Sequence, residues 1–578
     1  MGWRVVKGDA PRSCPVTDYT ACACQSEGHG PFCFWRPPHL AVTFSFFIIV
    51  PGPSASNSSE RSGGMLWAWG GALGTSFIFL VHLTQLVLSA EGFTLRSDLR
   101  SDKSIHREFV YASEDIKLTL AKHNVYLLPQ PPMPPLYAAK GTEFEDLTTE
   151  KDFFHGPSRI PAFPADWCLG VGQEPKYTSE NGSVMLNGNP LYLKGLNWYG
   201  FEGELFVLDG LAVWSPERFM SFLASHRFNA LRLPFSLEWL ARGLDSPLAN
   251  IYVVQEDMRG LTQGQVMDRI FDAAAAQGIL ILLDLHVISV EKGITDLWYD
   301  ETADGALVLD LWTLLLRRFA GRWNLLGIDL KNEPHGIASW GHGHPKTDWN
   351  AFATKSIQTL ATRVPDFHGV FFVEGIERPR WNSPHAYWWG GNLEGVRKYP
   401  ISTGSEDLDR RVVYSPHIYG PEVFPRHRYF QDSRFPDNMP GIWDHQFGWI
   451  EKSTGRAVVL GEWGGSIVGD RKAAANQQKL AEWLVHACIP DNFWWCLNPA
   501  TEFNGGLLAR DYQAVDKNVL QMLHYVQPKP TTFHGGIGAG DPLCVVDGAF
   551  ANVRCAVKMG LPISTSMAAL MAEKERQP

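Results

Sequence analysis

The sequence predicts an α/β fold, a (β/α)8 TIM barrel, over residues 178–526, and two observations predict it. Eight short apolar runs alternate with segments whose apolar residues recur at helical spacing, and this alternation is typical of a closed parallel sheet surrounded by helices. No glycine-rich phosphate loop follows the first run, which disfavours the alternative of a doubly wound open sheet. An N-terminal hairpin and irregular terminal extensions are expected to flank the barrel.

The apolar runs are rich in branched residues, as strands buried on both faces require. In chain order they are Leu193–Asn197, Asn229–Leu233, Leu280–Leu285, Leu326–Leu330, Val370–Val373, Val412–Ser415, Val458–Leu460 and Phe493–Leu497. Helical periodicity between them predicts the segments Pro216–Ser225, Gln263–Gln277, Leu307–Phe319, Trp349–Ala361 and Ala473–Ala487. Ser215 is the expected N-cap of the first helix, with proline at its first position. Asn187-Gly188 between apolar runs predicts a hairpin over residues 182–193.

Residues 65–90 contain no acidic residue, lysine or arginine, and they end in small residues. This pattern indicates a secretory signal that begins at Met65, in which case residues 1–64 are an extension of the gene model. The apolar stretch is also long enough to remain as a single-pass signal anchor, with residues 1–64 in the cytosol. The flanking residues favour the cleaved signal, so we expect an extracellular protein that contacts a membrane only if the segment is retained.

The remaining parts of the chain predict little structure of their own. Residues 91–177 include a proline-rich stretch at 129–135 and are expected to be an irregular extension. Residues 527–578 contain glycine-rich 535–540 and are expected to be a linker-like tail. Nine cysteines leave the disulfide pairing open, and Cys544 with Cys555 is the simplest pair because it closes a short loop. We expect a monomer.

Composition excludes two classes of protein. Charged residues make up 19% of the chain and hydrophobic residues 45%, which excludes a largely disordered chain. The net charge is −10 and no basic stripe is present, which disfavours a nucleic-acid partner. The 22 tryptophans predict either a very aromatic core or rings that stack on a ligand.

Polar residues end several of the predicted strands, which is where the chemistry of this fold gathers. Asn332-Glu333 follows the fourth strand and Glu462 ends the seventh. Two carboxyl groups at separate strand ends can serve as a proton donor and a nucleophile, the pair that hydrolysis of a glycosidic bond needs. Glu374, after the fifth strand, is expected to be an ordinary surface or packing group.

Seven motifs, in order and at strand-like spacing, resemble glycoside hydrolase family 5, and the secreted endo-β-1,4-glucanase (cellulase) branch has the most similar pattern. They are LKGLNWYGFE (193–202), ALRLPFS (230–236), LLDLH (282–286), DLKNEPHG (329–336), YSPHIYGP (414–421), VLGEWGG (459–465) and NPATEFNGGLL (498–508). The stretches VEGI (373–376) and YWWGGNLEGV (387–396) are also similar. The resemblance covers residues 178–520.

The resemblance implies a retaining mechanism with Glu333 as the general acid/base and Glu462 as the nucleophile. It implies further that Arg232 keeps the nucleophile ionised and that Asn332 binds the 2-hydroxyl of the sugar. The other cleft residues that it implies are His286, His417, Tyr419 and the sugar platform Trp495, with Trp198, Trp389 and Asn392 as candidates for flanking subsites. One departure is Leu497, where the family often has tryptophan, and it leaves the register of Trp494 against Trp495 open.

The resemblance implies no metal and no organic cofactor. The expected substrate is a β-glucan polysaccharide or oligosaccharide. The alternatives are a related family 5 enzyme that acts on mannan, β-1,3-glucan, xyloglucan or a glycolipid, and a catalytically inactive barrel that only binds sugar. The two intact glutamates, with their neighbours, speak against the inactive barrel.

Overall fold

The structure is a computed structural model of the chain. It describes residues 167–170, 172–378, 386–468, 470–499, 506–537 and 540–549, together with short strands before residue 167. The chain divides into two compact units, residues 1–106 and 107–578. In the first unit, Cys24–Gln25 pairs with Phe32–Cys33 and Phe47–Ile48 pairs with Leu66–Trp67. No helix among the described residues is long and apolar enough to cross a bilayer, and the segment 65–90 lies mostly outside them.

The second unit is built on one sheet of nine parallel strands in the order β6-β5-β4-β3-β2-β1-β9-β8-β7. The strands are β1 (Lys194–Asn197), β2 (Ala230–Ser236), β3 (Leu280–Val287), β4 (Leu325–Asp329), β5 (Val370–Val373), β6 (Val412–Tyr414), β7 (His417–Tyr419), β8 (Leu460–Gly464) and β9 (Asn492–Trp494). Tyr414 closes the ring, because its N–H donates to Ala457 and its carbonyl accepts from Val459. The (β/α)8 barrel predicted from the sequence is therefore confirmed.

The strands at β6 and β7 differ from the predicted single run for a local reason. Pro416 lies between them and has no N–H to donate to a ladder. Val412–Tyr414 therefore pairs with β5, whereas His417–Tyr419 pairs with β8. Together the two segments form the sixth strand of the barrel, and β7 carries His417 and Tyr419 at its carboxyl end.

Helices cover the outside of the sheet. They are α1 (Pro216–Ser225), α2 (Leu237–Ala241), α3 (Gln263–Ala276), α4 (Gly305–Phe319), α5 (Trp349–Arg363), α6 (Glu406–Asp409), α7 (Met439–Trp443), α8 (Ile450–Thr454), α9 (Arg471–Ala487) and α10 (Lys517–Val526). Ser215 caps α1 as predicted, by accepting from the N–H of Arg218. Helix α9 begins two residues before the predicted start because Asp470 accepts from the first-turn N–H groups.

Three short antiparallel sheets lie outside the ring in the second unit, and the smallest pairs Phe144–Asp146 with Ala514–Asp516. Tyr177–Glu180, Ser183–Leu186 and Asn189–Pro190 form the first. Its second turn is the predicted hairpin, in which Asn187 has φ 49° and Gly188 has φ 85°, as a primed turn requires. The segments Trp167–Cys168, Thr532–His534 and Cys544–Val546 form the second.

The second of these sheets corrects two expectations about the chain ends. Cys544 lies opposite Cys168 in the strand register and forms a disulfide with it, so the predicted pair of Cys544 with Cys555 is wrong. Strand pairing, rather than closeness in sequence, brings the two thiols together. Phe533 and Val545 pack in one cluster with barrel residues such as Leu280. The described part of 527–549 is thus integral to the fold rather than a linker.

Candidate active site

The carboxyl ends of the barrel strands bring most of the predicted site residues together. Eight of them lie within one network of hydrogen bonds, ion pairs and ring contacts: Arg232, His286, Asn332, Glu333, His417, Tyr419, Glu462 and Trp495. Their strands are buried along their length, as in β3, where all eight residues are buried. The site therefore rests on rigid strand ends.

Glu333 and Glu462 face each other across the site. An oxygen of Glu333, an oxygen of Glu462 and a ring nitrogen of His417 all lie within 4.8 Å of one another. The two glutamates are 8% and 3% exposed. Retaining glycosidases hold their carboxyl groups about 5 to 5.5 Å apart, whereas inverting enzymes leave about 6.5 to 9.5 Å for a water molecule. The observed spacing matches the retaining geometry.

Two neighbours of Glu462 favour its ionised form. Nη1 of Arg232 lies 2.7 Å from Oε1, and the hydroxyl of Tyr419 donates to Oε2 at 2.6 Å. Burial raises the pKa of Glu462, and both neighbours oppose that rise. A carboxylate with a cation and a hydroxyl donor on its two oxygens is suited to act as a nucleophile.

Glu333 lies in a different environment. Burial raises the pKa of its carboxyl well above the usual range, and the charge of Glu462 raises it further. Nδ1 of His417 lies 3.2 Å from its Oε1, and burial lowers the pKa of that imidazole well below its usual range. A protonated carboxyl beside an ionised one is the arrangement that lets two acids take opposite roles.

Arg232 lies at the centre of the cluster and is fully buried. Besides Glu462, it contacts polar side chains from four strands and the loops after them: Asn197, Asp284, Asp329, Asn332 and Glu374. Asp284, Asp329 and Glu374 are members that sequence reasoning missed. Glu374 is 0% exposed and is therefore not a surface group. Its place directly after a buried strand is the signal that could have assigned it to the site.

The structure shows which of Trp494 and Trp495 faces the site. Trp494 is fully buried in the core, whereas Trp495 is partly exposed. The ring of Trp495 stacks parallel to His286, with centroids 5.4 Å apart, and to Tyr199 at 6.0 Å. Burial lowers the pKa of His286 to about 3, so this imidazole is neutral. Tyr199 is half-buried beside Trp495 and was not among the predicted residues.

The three weaker candidates have different placements. Trp389 is 41% exposed and stacks on His335 with centroids 3.7 Å apart, so it presents a supported ring face. Asn392 is buried, and its Oδ1 accepts from the N–H of Glu394. Trp198 is 0% exposed, and its indole N–H donates to the carbonyl of Asp209. The structure corrects its assignment to a subsite, because a ring enclosed in the core has no free face for a sugar.

Two buried groups of side chains have oxygen and nitrogen atoms close enough to hold a cation. They are Asp329, Glu374 and His417, and Glu333, His417 and Glu462. Arg232 contacts a member of each group, and its fixed positive charge disfavours a metal ion there. The expectation that the reaction needs no metal stays a prediction.

Comparison with known proteins places the chain in a family. The model for cellulase, glycosyl hydrolase family 5, matches residues 184–501. An endoglucanase of Paenibacillus polymyxa is 34% identical over 350 residues, which cover 60% of this chain and 85% of that protein. The major extracellular endoglucanase of Xanthomonas campestris pv. campestris is 34% identical over 364 residues, which cover 62% of this chain and 72% of that protein.

Solved structures agree. An endocellulase of Pyrococcus horikoshii in complex with cellotetraose has a TM-score of 0.56 at 32% identity, covering 62% of this chain and 100% of that chain. The catalytic domain of the Xanthomonas campestris pv. campestris endoglucanase has the same score and identity, covering 61% of this chain and 99% of that chain. Since the family model matches more than half of the chain, the chain belongs to glycosyl hydrolase family 5, the cellulase family.

Proposed function

We propose that the protein is a retaining endo-β-1,4-glucanase. The observation that carries the proposal is the pair Glu333 and Glu462, in which one oxygen of each lies within 4.8 Å of the other, while Arg232 and Tyr419 contact the oxygens of Glu462. Relatives at 34% identity are endoglucanases, and a structural neighbour binds cellotetraose. These findings support a β-1,4-glucan substrate over mannan, β-1,3-glucan, xyloglucan or a glycolipid.

In the first step, an oxygen of Glu462 attacks the anomeric carbon while Glu333 donates its proton to the leaving glycosidic oxygen. Arg232 and Tyr419 keep the attacking carboxylate ionised before the reaction. Burial and the charge of Glu462 keep Glu333 protonated. The C–O bond of the substrate breaks, an ester to Glu462 forms, and the shortened chain leaves with a free hydroxyl group.

In the second step, Glu333 is ionised and takes a proton from a water molecule. The hydroxide attacks the anomeric carbon from the side that the first leaving group vacated, and the ester to Glu462 breaks. Two inversions give net retention of configuration. Glu333 ends the cycle protonated and Glu462 ends it ionised, so the enzyme returns to its starting state.

We propose that three further side chains bind the sugar. The partly exposed face of Trp495 supplies a flat apolar floor, on which the C–H face of a glucose unit packs. Oδ1 of Asn332 accepts from Arg232. The amide nitrogen of Asn332 therefore faces away from Arg232, and we propose that it donates to the 2-hydroxyl of the sugar. The exposed face of Trp389 is the proposed platform on the far side of Glu333.

Product analysis tests this function. We expect the protein to cut soluble cellulose internally, so that viscosity falls faster than reducing ends appear. Proton NMR of cellopentaose hydrolysis is expected to show the β-anomer as the first product. First appearance of the α-anomer would contradict the double displacement. Faster cleavage of mannan, xyloglucan or a β-1,3-glucan than of β-1,4-glucan would contradict the substrate assignment.

We also propose that the barrel is exported as a monomer, with residues 65–90 acting as a cleaved signal. The disulfide between Cys168 and Cys544 supports export, because such bonds persist in oxidising compartments. N-terminal sequencing of the protein from its natural host is expected to find a start near residue 90. A mature chain that retains residues 65–90 would favour the membrane anchor instead.

A further inference from the structure

One buried carboxyl group of the cluster has no role in the double displacement. Glu374, directly after β5, is fully buried. Its Oε2 accepts from the backbone N–H of Glu333 at 2.7 Å. Its Oε1 lies 3.2 Å from Nη2 of Arg232 and 3.2 Å from Nε2 of His417. One side chain therefore contacts the backbone of the proton donor and the imidazole beside its carboxyl group.

The backbone contact occurs where the chain is strained. Glu333 has φ 51°, in the left-handed region that residues with a side chain rarely adopt. The bond from its N–H to Glu374 helps to hold this conformation. Gly390 makes room for the bond, since a Cβ at that position would lie 2.2 Å from Oε2 of Glu374. The surrounding loop is thus shaped to let the carboxyl group reach Glu333.

The imidazole contact fixes how His417 faces Glu333. Its Nδ1 lies 3.2 Å from Oε1 of Glu333 and its Nε2 lies 3.2 Å from Oε1 of Glu374. Nε2 has no hydrogen bond of good geometry among the described residues, and Oε1 of Glu374 lies beside it. A neutral imidazole carries one N–H. The tautomer with its N–H on Nε2 directs that N–H toward Oε1 of Glu374 and leaves Nδ1 to accept from the acidic proton of Glu333.

We propose that Glu374 is a positioning residue for the proton donor, which it holds through the backbone of Glu333 and through His417. This inference rests on the proposed function. Without Glu374, Arg232 still has its contacts with Glu462, Asn197, Asp284, Asp329 and Asn332, and the hydroxyl of Tyr419 still donates to Glu462. Loss of Glu374 is therefore expected to weaken acid catalysis more than nucleophilic attack.

Glu374→Gln tests the role, because glutamine keeps the shape but has only one acceptor oxygen. Whichever way the amide turns, an NH2 group faces either the N–H of Glu333 or the donors of Arg232. Cellopentaose needs a proton on its leaving group, whereas 2,4-dinitrophenyl β-cellobioside releases a stable anion without one. We expect kcat on cellopentaose to fall about 100-fold with KM within about twofold, and kcat/KM on the aryl cellobioside to stay within about threefold.

Asp284→Asn is the matched control. Asp284 is an equally buried carboxyl group that contacts Nη2 of Arg232 and has no hydrogen bond to Glu333, Glu374 or His417 among the described contacts. Loss of this carboxyl group is expected to lower kcat/KM on both substrates by the same factor. In a Glu333→Ala background, Glu374→Gln is expected to cause no further loss on cellopentaose, because the group it positions is gone.

If Glu374→Gln lowers activity on both substrates by the same factor, the positioning role is wrong. If that variant melts at a lower temperature, Glu374→Asp, which keeps the charge but retreats by one methylene, is expected to show the same selective loss. Equal losses by that variant would overturn the proposal too. A wild type that cleaves the aryl cellobioside but not cellopentaose would instead contradict the proposed function, so the two failures are distinguishable.

Discussion

The hydroxyl group of Tyr419 controls the ionisation of the nucleophile, and its removal is a direct test of the site's electrostatics. The hydroxyl donates to Oε2 of Glu462 at 2.6 Å, and both groups are buried. Burial and the charge of Glu462 raise the pKa of Tyr419 well above its usual range, so the hydroxyl stays a donor. Tyr419→Phe deletes this bond and changes little else.

The expected shift in the pKa of Glu462 follows from the strength of its hydrogen bond to Tyr419. A hydrogen bond to a charged group contributes about 1.5–3 kcal/mol, which corresponds to about one to two pH units of the acceptor's pKa. The bond favours ionised Glu462, so its loss raises the pKa of Glu462. Because Glu462 attacks only when ionised, the acid limb of kcat/KM is expected to move to higher pH by about one to two pH units.

The assay is a pH profile of kcat/KM on 2,4-dinitrophenyl β-cellobioside, whose leaving group needs no proton from Glu333. Tyr429→Phe is the matched control, because the buried hydroxyl of Tyr429 has no hydrogen-bond partner among the described residues. Its profile is expected to match the wild type. An acid limb that stays in place in Tyr419→Phe would refute the electrostatic account of Glu462.

Three further predictions concern binding and stability. Trp495→Ala is expected to lower kcat/KM on cellopentaose about 10- to 100-fold, since burial of a large apolar side chain contributes about 1.5–3 kcal/mol, and an effect below twofold in steady-state assays would contradict its assignment as the sugar platform. Trp389→Ala is expected to raise KM for long oligosaccharides more than for the aryl cellobioside, as comparison of the two substrates will show. Replacing Cys168 and Cys544 by serine is expected to lower the free energy of unfolding by about 3–5 kcal/mol, measured by denaturant titration; an unchanged midpoint would contradict the role of the bond in the fold.

The sequence predicted the barrel and the residues at its strand ends because buried parallel strands leave a direct pattern. Each strand is a short, mainly apolar run, and the polar residues near its carboxyl end mark the end of the barrel where ligands bind. Glu333 and Glu462 are visible in this way. The closing of the sheet at Tyr414 then brings together residues that are far apart in the chain.

Features that depend on three-dimensional register were not visible. Glu374 ends a strand just as Glu462 does, and only the contact with the N–H of Glu333 separates it from a packing group. Trp198 and Tyr199 are adjacent in sequence, yet their side chains point to opposite sides, one into the core and one beside Trp495. The partner of Cys544 is set by a strand pair that crosses 376 residues, which no local spacing encodes.

The central claim is that Glu462 forms a covalent intermediate while Glu333 supplies the proton. Incubation with 2,4-dinitrophenyl 2-deoxy-2-fluoro-β-cellobioside tests it most directly, because the fluorine slows both steps and the good leaving group lets the first proceed. Mass spectrometry of peptides is expected to find the fluorosugar on Glu462 and to find it still there in Glu333→Ala. No adduct, or an adduct on a different residue, would contradict the account.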